Sequence, residues 1–186
     1  MKKYIFAFII IILGWVLILS SMFGDINKSN KNNSLNTKYV IDEDIKVIDI
    51  YNAFGSISIK RGEENIIEIP KNLVYEIKDN ALYIKYNESY PSRKLRKNEI
   101  NVFITYKNDV DIKIKNFAGI INADLPYGKH YISNVAGIAN LYVLDDIYFE
   151  SFENFAKSDL KVENNKNSKT SLRILTSVGK YKINRK

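Results

Sequence analysis

The heptapeptide Asn116-Phe117-Ala118-Gly119-Ile120-Ile121-Asn122 recurs as Asn134-Val135-Ala136-Gly137-Ile138-Ala139-Asn140. Looser copies follow as Asn154-Phe155-Ala156-Lys157-Ser158-Asp159-Leu160 and Thr176-Ser177-Val178-Gly179-Lys180-Tyr181-Lys182, at successive offsets of 18, 20 and 22 residues. An earlier echo, Asn52-Ala53-Phe54-Gly55-Ser56-Ile57-Ser58-Ile59, stands outside this run. A unit of about twenty residues cannot bury an apolar face alone, so it must stack on its neighbours. Stacked through strands, equivalent residues would lie about 4.8 Å apart. The spacing therefore predicts a small parallel β-solenoid in which Asn116, Asn134 and Asn154 form an amide ladder. Phe117, Val135 and Phe155 would form a second stack, and Gly119 and Gly137 would permit a tight corner beside it. Lys157 stands where the third copy would need a glycine. The other fold open to this pattern is an antiparallel β-sandwich in which Asn-x-Ala-Gly is a recurrent hairpin turn.

From Tyr39 onward, short runs of β-branched and aromatic residues alternate with polar ones. Examples are Ile57 and Ile59 between Ser56, Ser58 and Lys60, Leu82 and Ile84 beside Tyr83 and Lys85, and Ile112 and Ile114 between Asp111, Lys113 and Lys115. A period of two repeated so often predicts strands. The separators are turn formers: Arg61-Gly62, Pro70-Lys71-Asn72, Asp79-Asn80 and Lys107-Asn108-Asp109. No stretch sustains the i, i+3, i+4, i+7 apolar pattern of a helix, so the domain is expected to be all-β.

The run Ile50-Tyr51-Asn52-Ala53-Phe54-Gly55-Ser56-Ile57-Ser58-Ile59, followed by a Gly-Glu-Glu-Asn turn and Ala81-Leu82-Tyr83-Ile84-Lys85, resembles the start of bacterial head GIN domains. The later Asn-x-Ala-Gly units are similar to the repeats of that family, and the resemblance covers roughly residues 45–186. It implies a right-handed parallel β-helix and the head of an auto-transporter adhesin. It supplies no catalytic residues.

Residues 1–24 read as a signal-anchor. Tyr4 to Phe23 is twenty residues without a charge, and as a helix it would span roughly 30 Å, the thickness of a hydrocarbon core. Lys2 and Lys3 precede it, which suits a cytoplasmic N-terminus and an extracytoplasmic C-terminal domain. The competing reading, a cleaved signal and a secreted product, lacks a well-placed pair of small residues after the apolar run. Residues 25–38, rich in Asn and Lys, cannot bury anything and read as a flexible tether to a domain over 39–186.

The absence of cysteine excludes disulfides, thiolate metal sites and cysteine nucleophiles. His130 is the only histidine, so neither a His-rich metal site nor a histidine pair can form within one chain; its setting, Tyr127-Gly128-Lys129-His130-Tyr131, reads as a surface turn. The acidic clusters Asp42-Glu43-Asp44, Asp145-Asp146 and Glu150 with Glu153 match no calcium-loop spacing and accompany no nucleophile. No catalytic residue, metal or cofactor is therefore assigned. Arg93-Lys94-Leu95-Arg96-Lys97 is the sharpest charge feature of a chain whose formal net charge is +7. Arg93, Lys94, Arg96 and Lys97 would suit an anionic envelope polymer or lipid headgroups. Nucleic acid is not expected, since no stacking motif accompanies the basic residues. The thirteen tyrosines could line a carbohydrate-binding face. The expectation is thus a non-catalytic, membrane-anchored binding or adhesin-like module contacting an envelope polymer or protein. A sensory component of envelope-stress signalling is the alternative, and a carbohydrate-active enzyme ranks behind both.

Overall fold

Residues branched at Cβ pack well on a pleated surface, and their alternation here produces twelve strands and no helix among the described residues. The structure, a computed structural model, describes residues 36–51, 54–87, 100–154 and 157–186. The strands are β1 (Thr37–Ile41), β2 (Val47–Tyr51), β3 (Phe54–Arg61), β4 (Asn65–Ile69), β5 (Leu73–Lys78), β6 (Ala81–Tyr86), β7 (Ile100–Tyr106), β8 (Asp111–Leu125), β9 (Gly128–Val143), β10 (Tyr148–Asn154), β11 (Lys157–Lys161) and β12 (Thr170–Arg185). The segment Tyr4–Phe23 and the basic run with Arg93, Lys94, Arg96 and Lys97 lie outside the described residues. So do Phe155 and the side chains of Asn116, Asn134, Val135 and Asn154. β1 begins at Thr37, within the C-terminal end of the segment read as tether.

Each expected turn former separates two strands. Asp79 and Asn80 carry φ of 52° and 59°, the left-handed pair that closes a two-residue hairpin between β5 and β6, which meet at Lys78↔Ala81.

The long strands β8, β9 and β12 run through two sheets. Their N-terminal halves continue into a first sheet, where β8 pairs with β2, β2 with β6 and β6 with β5, while β10 covers β12 on the far side. Their C-terminal halves continue into a second, where β8 pairs with β3, β3 with β7, β7 with β4 and β4 with β1, while β11 covers β12. Pairing is parallel except for β1–β4, β4–β7 and β5–β6. The chain is all-β, with two sheets of mixed sense facing one apolar core.

That arrangement departs from the stack of successive units that the offsets predict. Asn134 does pair with Thr176, and Ala118 with Ala136, but Asn154 pairs with Thr176 on the far side of β12. The expected order Asn116, Asn134, Asn154 is therefore broken: the fourth copy lies between the second and the third. Near Asn116 the ladder is also irregular, with Phe117 opposite Asn134.

Glycine at the corner between the sheets explains the order. Gly55, Gly119, Gly137 and Gly179 stand in one column, each paired with the next across the strands. Their φ values are 118°, 141°, 140° and 152°. A Cβ on Gly137 would lie 1.9 Å from the carbonyl oxygen of Gly119, and one on Gly179 would lie 2.1 Å from that of Gly137. Only glycine fits inside such a column. The third copy has none, and β10 and β11 accordingly occupy its open side, with β12 as their sole partner strand among the described residues. The echo at Gly55, which stands apart in the sequence, joins the column directly against Gly119.

Inward-facing residues repeat the column logic with bulk. Ile84, Ile50, Ile114, Ile132 and Ile174 form one row across five strands, each at most 1% exposed. Phe117 is fully buried. Each such Ile contributes about 1.5–3 kcal/mol by leaving water.

Candidate binding face

His130 corrects the reading of a surface turn: it is buried in the row between Ile112 and Leu172. Its Nδ1 accepts the Ile112 amide at 3.2 Å, which places the proton on Nε2, and Nε2 donates to the Pro126 carbonyl at 2.9 Å. Burial, offset in part by the Pro126 bond and Asp111, holds its pKa below the ordinary histidine value. An imidazole so held closes a strand end and offers nothing to a ligand.

The carboxylate clusters are similarly occupied. Asp146 Oδ1 accepts from the Arg185 guanidinium and from the Glu163 amide, and its carbonyl accepts from Ser168 Oγ. Asp145 accepts from the Tyr127 hydroxyl at 3.3 Å, Glu150 from Ser171 Oγ at 2.8 Å, and Asp44 from Asn108 at 3.0 Å. These contacts join loops to strands. Asp42 and Glu43 instead line a groove of about 620 Å³ with Val40 and Glu76, between the free edges of β1 and β5. Its acidic rim disfavours anions.

The outer faces of the two sheets differ in character. On the first sheet, one row runs Glu76, Tyr83, Asp49, Lys113, Tyr131 and Arg173. Lys115 Nζ is 2.9 Å from Asp49 Oδ2, Lys85 Nζ is 3.5 Å from Glu76 Oε2, and the Arg173 guanidinium stands 5.8 Å from the Tyr131 ring centre. Lys85, Lys115 and Arg173 are thus matched by a carboxylate or a ring, whereas Lys113 and Lys129 make no ion pair among the described residues. Tyr51 and Tyr83 are exposed on this face.

On the second sheet, burial of Tyr181 and Ile183 turns Lys180, Lys182 and Asn184 of β12 outward. Across the strands, one outer row reads Asn101, Ser56, Ile120, Ile138 and Lys180. The next reads Phe103, Ser58, Asn122, Asn140, Lys182 and Asp159. Tyr142, Asn184 and Lys161 begin a third. Six strands at about 4.8 Å give a flat surface roughly 24 Å long. Asn140 Nδ2 donates to Asn122 Oδ1 at 2.8 Å. An amide ladder therefore exists at the last Asn of the repeat, one position that the reading of its first Asn missed although the same 18-residue offset marks both. Ile138 and Tyr142 are 41% and 38% exposed. Lys161, Lys180 and Lys182 have no ion-pair partner among the described residues.

No protein-family model and no curated protein matches the sequence. Among solved structures, the chain is similar to a candidate cell adhesion protein from Clostridium sporogenes, at 13% identity over 81% of this chain and 99% of that one, with a TM-score of 0.53. Candidate adhesins from Bacteroides fragilis (13% identity, 82% and 96% of the two chains, TM-score 0.34) and Parabacteroides distasonis (13%, 80% and 68%, TM-score 0.41) superpose too loosely to inform the fold. The first likeness is one of all-β fold, carried along nearly the whole of the other protein at an identity too low to carry function.

Proposed function

We propose that this chain is a non-catalytic, adhesin-like binding module of the cell envelope, held at a membrane by Tyr4–Phe23 with its β-domain outside the cytoplasm. The observation that carries the binding role is the outer face of the second sheet, on which Ser, Asn, Ile and Lys side chains repeat at strand spacing. Extended polymers are recognised by such repeating surfaces, whereas catalysis needs groups converging on one reacting atom. Here Asp145, Asp146 and His130 each serve a structural bond. The apolar length of Tyr4–Phe23 and the lysines before it support the anchor. We read the four glycine-cornered rungs as coils of a short β-helix, supported by the parallel 18-residue register of β8 and β9 and by the column at their corner. The resemblance of Ile50–Ile59 to head GIN domains and the likeness to a candidate cell adhesion protein point the same way.

The test is co-sedimentation of the full-length chain, in detergent micelles, with purified cell-wall and outer-envelope fractions. Saturable binding to one fraction is the expected result. Absence of binding to every fraction would discard the reading. Protease accessibility of the β-domain in intact cells tests its location: cleavage is expected from outside, and protection would reverse the orientation.

A further inference from the structure

We infer that the lysine-rich end of the second sheet's outer face, formed by Lys161, Lys180 and Lys182 beside Asn140 and Tyr142, binds a polyanionic glycan. This rests on the binding-module reading and gives it a ligand class.

The inference starts from a local imbalance. Lys180 and Lys182 lie two residues apart on β12, so their Cα atoms are about 6.7 Å apart on one face. The ladder sets Lys161 opposite Asn184 on the adjoining β11. Like charges at such spacing repel, and Asp159, opposite Lys182, is the one carboxylate that the ladder sets among these lysines. It makes no ion pair with any of them among the described residues. The nearby carboxylate of Asp124 is held by Lys186 at 2.9 Å. Elsewhere, Lys115 pairs with Asp49, Arg61 with Asp109 and Arg185 with Asp146. Three lysines without an ion pair, gathered on one face of one sheet end, raise the local potential and favour an anion there.

The neighbours narrow the class. Asn140 spends one amide proton on Asn122, so its orientation is fixed and the rest of its hydrogen-bonding capacity faces outward beside Lys182. Exposed Ile138 and the ring of Tyr142 supply apolar contact one strand away. Cations, oriented amides and an aromatic side chain on a flat surface suit a chain of hydroxylated rings carrying regularly spaced carboxylate or phosphate groups. A bare anion would use only the lysines.

Polygalacturonate, inorganic polyphosphate, neutral dextran and phosphatidylglycerol vesicles are the probes for the full-length chain in detergent micelles or, for the vesicles, reconstituted beside them. Polygalacturonate should bind, weaken as salt is raised, and outcompete polyphosphate. The triple variant K161E/K180E/K182E should lose at least tenfold in affinity with an unchanged circular dichroism spectrum, while K113E/K129E on the first sheet stays within about twofold. Asn140→Ala should reduce polygalacturonate binding more than polyphosphate binding. Undiminished binding by the triple variant overturns the inference, as does equal loss in K113E/K129E, or loss only in a variant reversed at Arg93, Lys94, Arg96 and Lys97. Preference for vesicles over both soluble polyanions also overturns it, in favour of a lipid surface. Binding to an envelope fraction or dextran without binding to polygalacturonate sinks this inference and spares the module; silence toward every fraction sinks both.

Discussion

The two outer faces are built from the same strands, yet they differ in how much of their positive charge lies against a partner. On the first sheet Lys115, Lys85 and Arg173 each lie against a carboxylate or a ring, whereas Lys161, Lys180 and Lys182 on the second stand without partners among the described residues. Both faces inherit their side chains from alternation along β8, β9 and β12, so strand geometry cannot account for the contrast. The first face interleaves its cations with Asp49, Glu76 and tyrosine rings. The second retains a local repulsion that an external anion would relieve.

The contrast has a common root in the glycine corner, and the most severe test strikes there. Gly137→Ala should cost about 3–5 kcal/mol, combining strain at φ 140° with overlap on the Gly119 carbonyl. Thermal unfolding should show the loss; a variant melting within a degree or two of the parent would mean the corner can open without harm. Next in size, Ile132→Ala removes a fully buried member of the isoleucine row that backs the first face and should cost about 2–5 kcal/mol by urea titration.

A pH test isolates His130. Its pKa is depressed in the folded state by burial, so the unfolded chain takes up the proton first. The histidine's contribution is therefore complete above the ordinary value near 6.5 and is lost as pH falls below it. No other histidine exists to confuse that window. Urea midpoints should decline between pH 7 and pH 5, and His130→Gln, though weaker overall, should flatten that slope; an unchanged slope would refute the buried, neutral ring.

The smallest effects sharpen the comparison most. Lys115→Ser should lower stability by up to about 1 kcal/mol, because it strands Asp49. Lys180→Ser should do the reverse, raising stability by a few tenths of a kcal/mol, more at low salt. If both substitutions move stability in the same direction, the two faces do not differ as described.

Much of this was legible from alternation and turn chemistry. Ile57 with Ile59, Leu82 with Ile84 and Ile112 with Ile114 all face the core, and Asp79-Asn80 closes a hairpin. The 18-residue offset named the true partners of Gly119 and Ala118. Spatial order escaped, because periodicity states which side of a strand a residue occupies and says nothing about which strand lies next to it. That is why Gly55 looked detached and why Asn154 was placed next to Asn134. His130 misled for a related reason: Gly128-Lys129 reads as a turn, but the imidazole replaces a backbone partner inside the ladder. The lysine cluster could not be seen at all, since Lys161 and Lys182 become neighbours only when β11 settles on β12.

The glycine column also sets a rule for how such a domain could lengthen or shorten over generations. A duplicated segment carrying glycine at the corner can slip in among its siblings, because every interior site asks the same thing of a newcomer. A copy without that glycine would be confined to the rim, where the segment around Lys157 lies. One atom's worth of side chain thus separates an interior strand of this column from an edge strand.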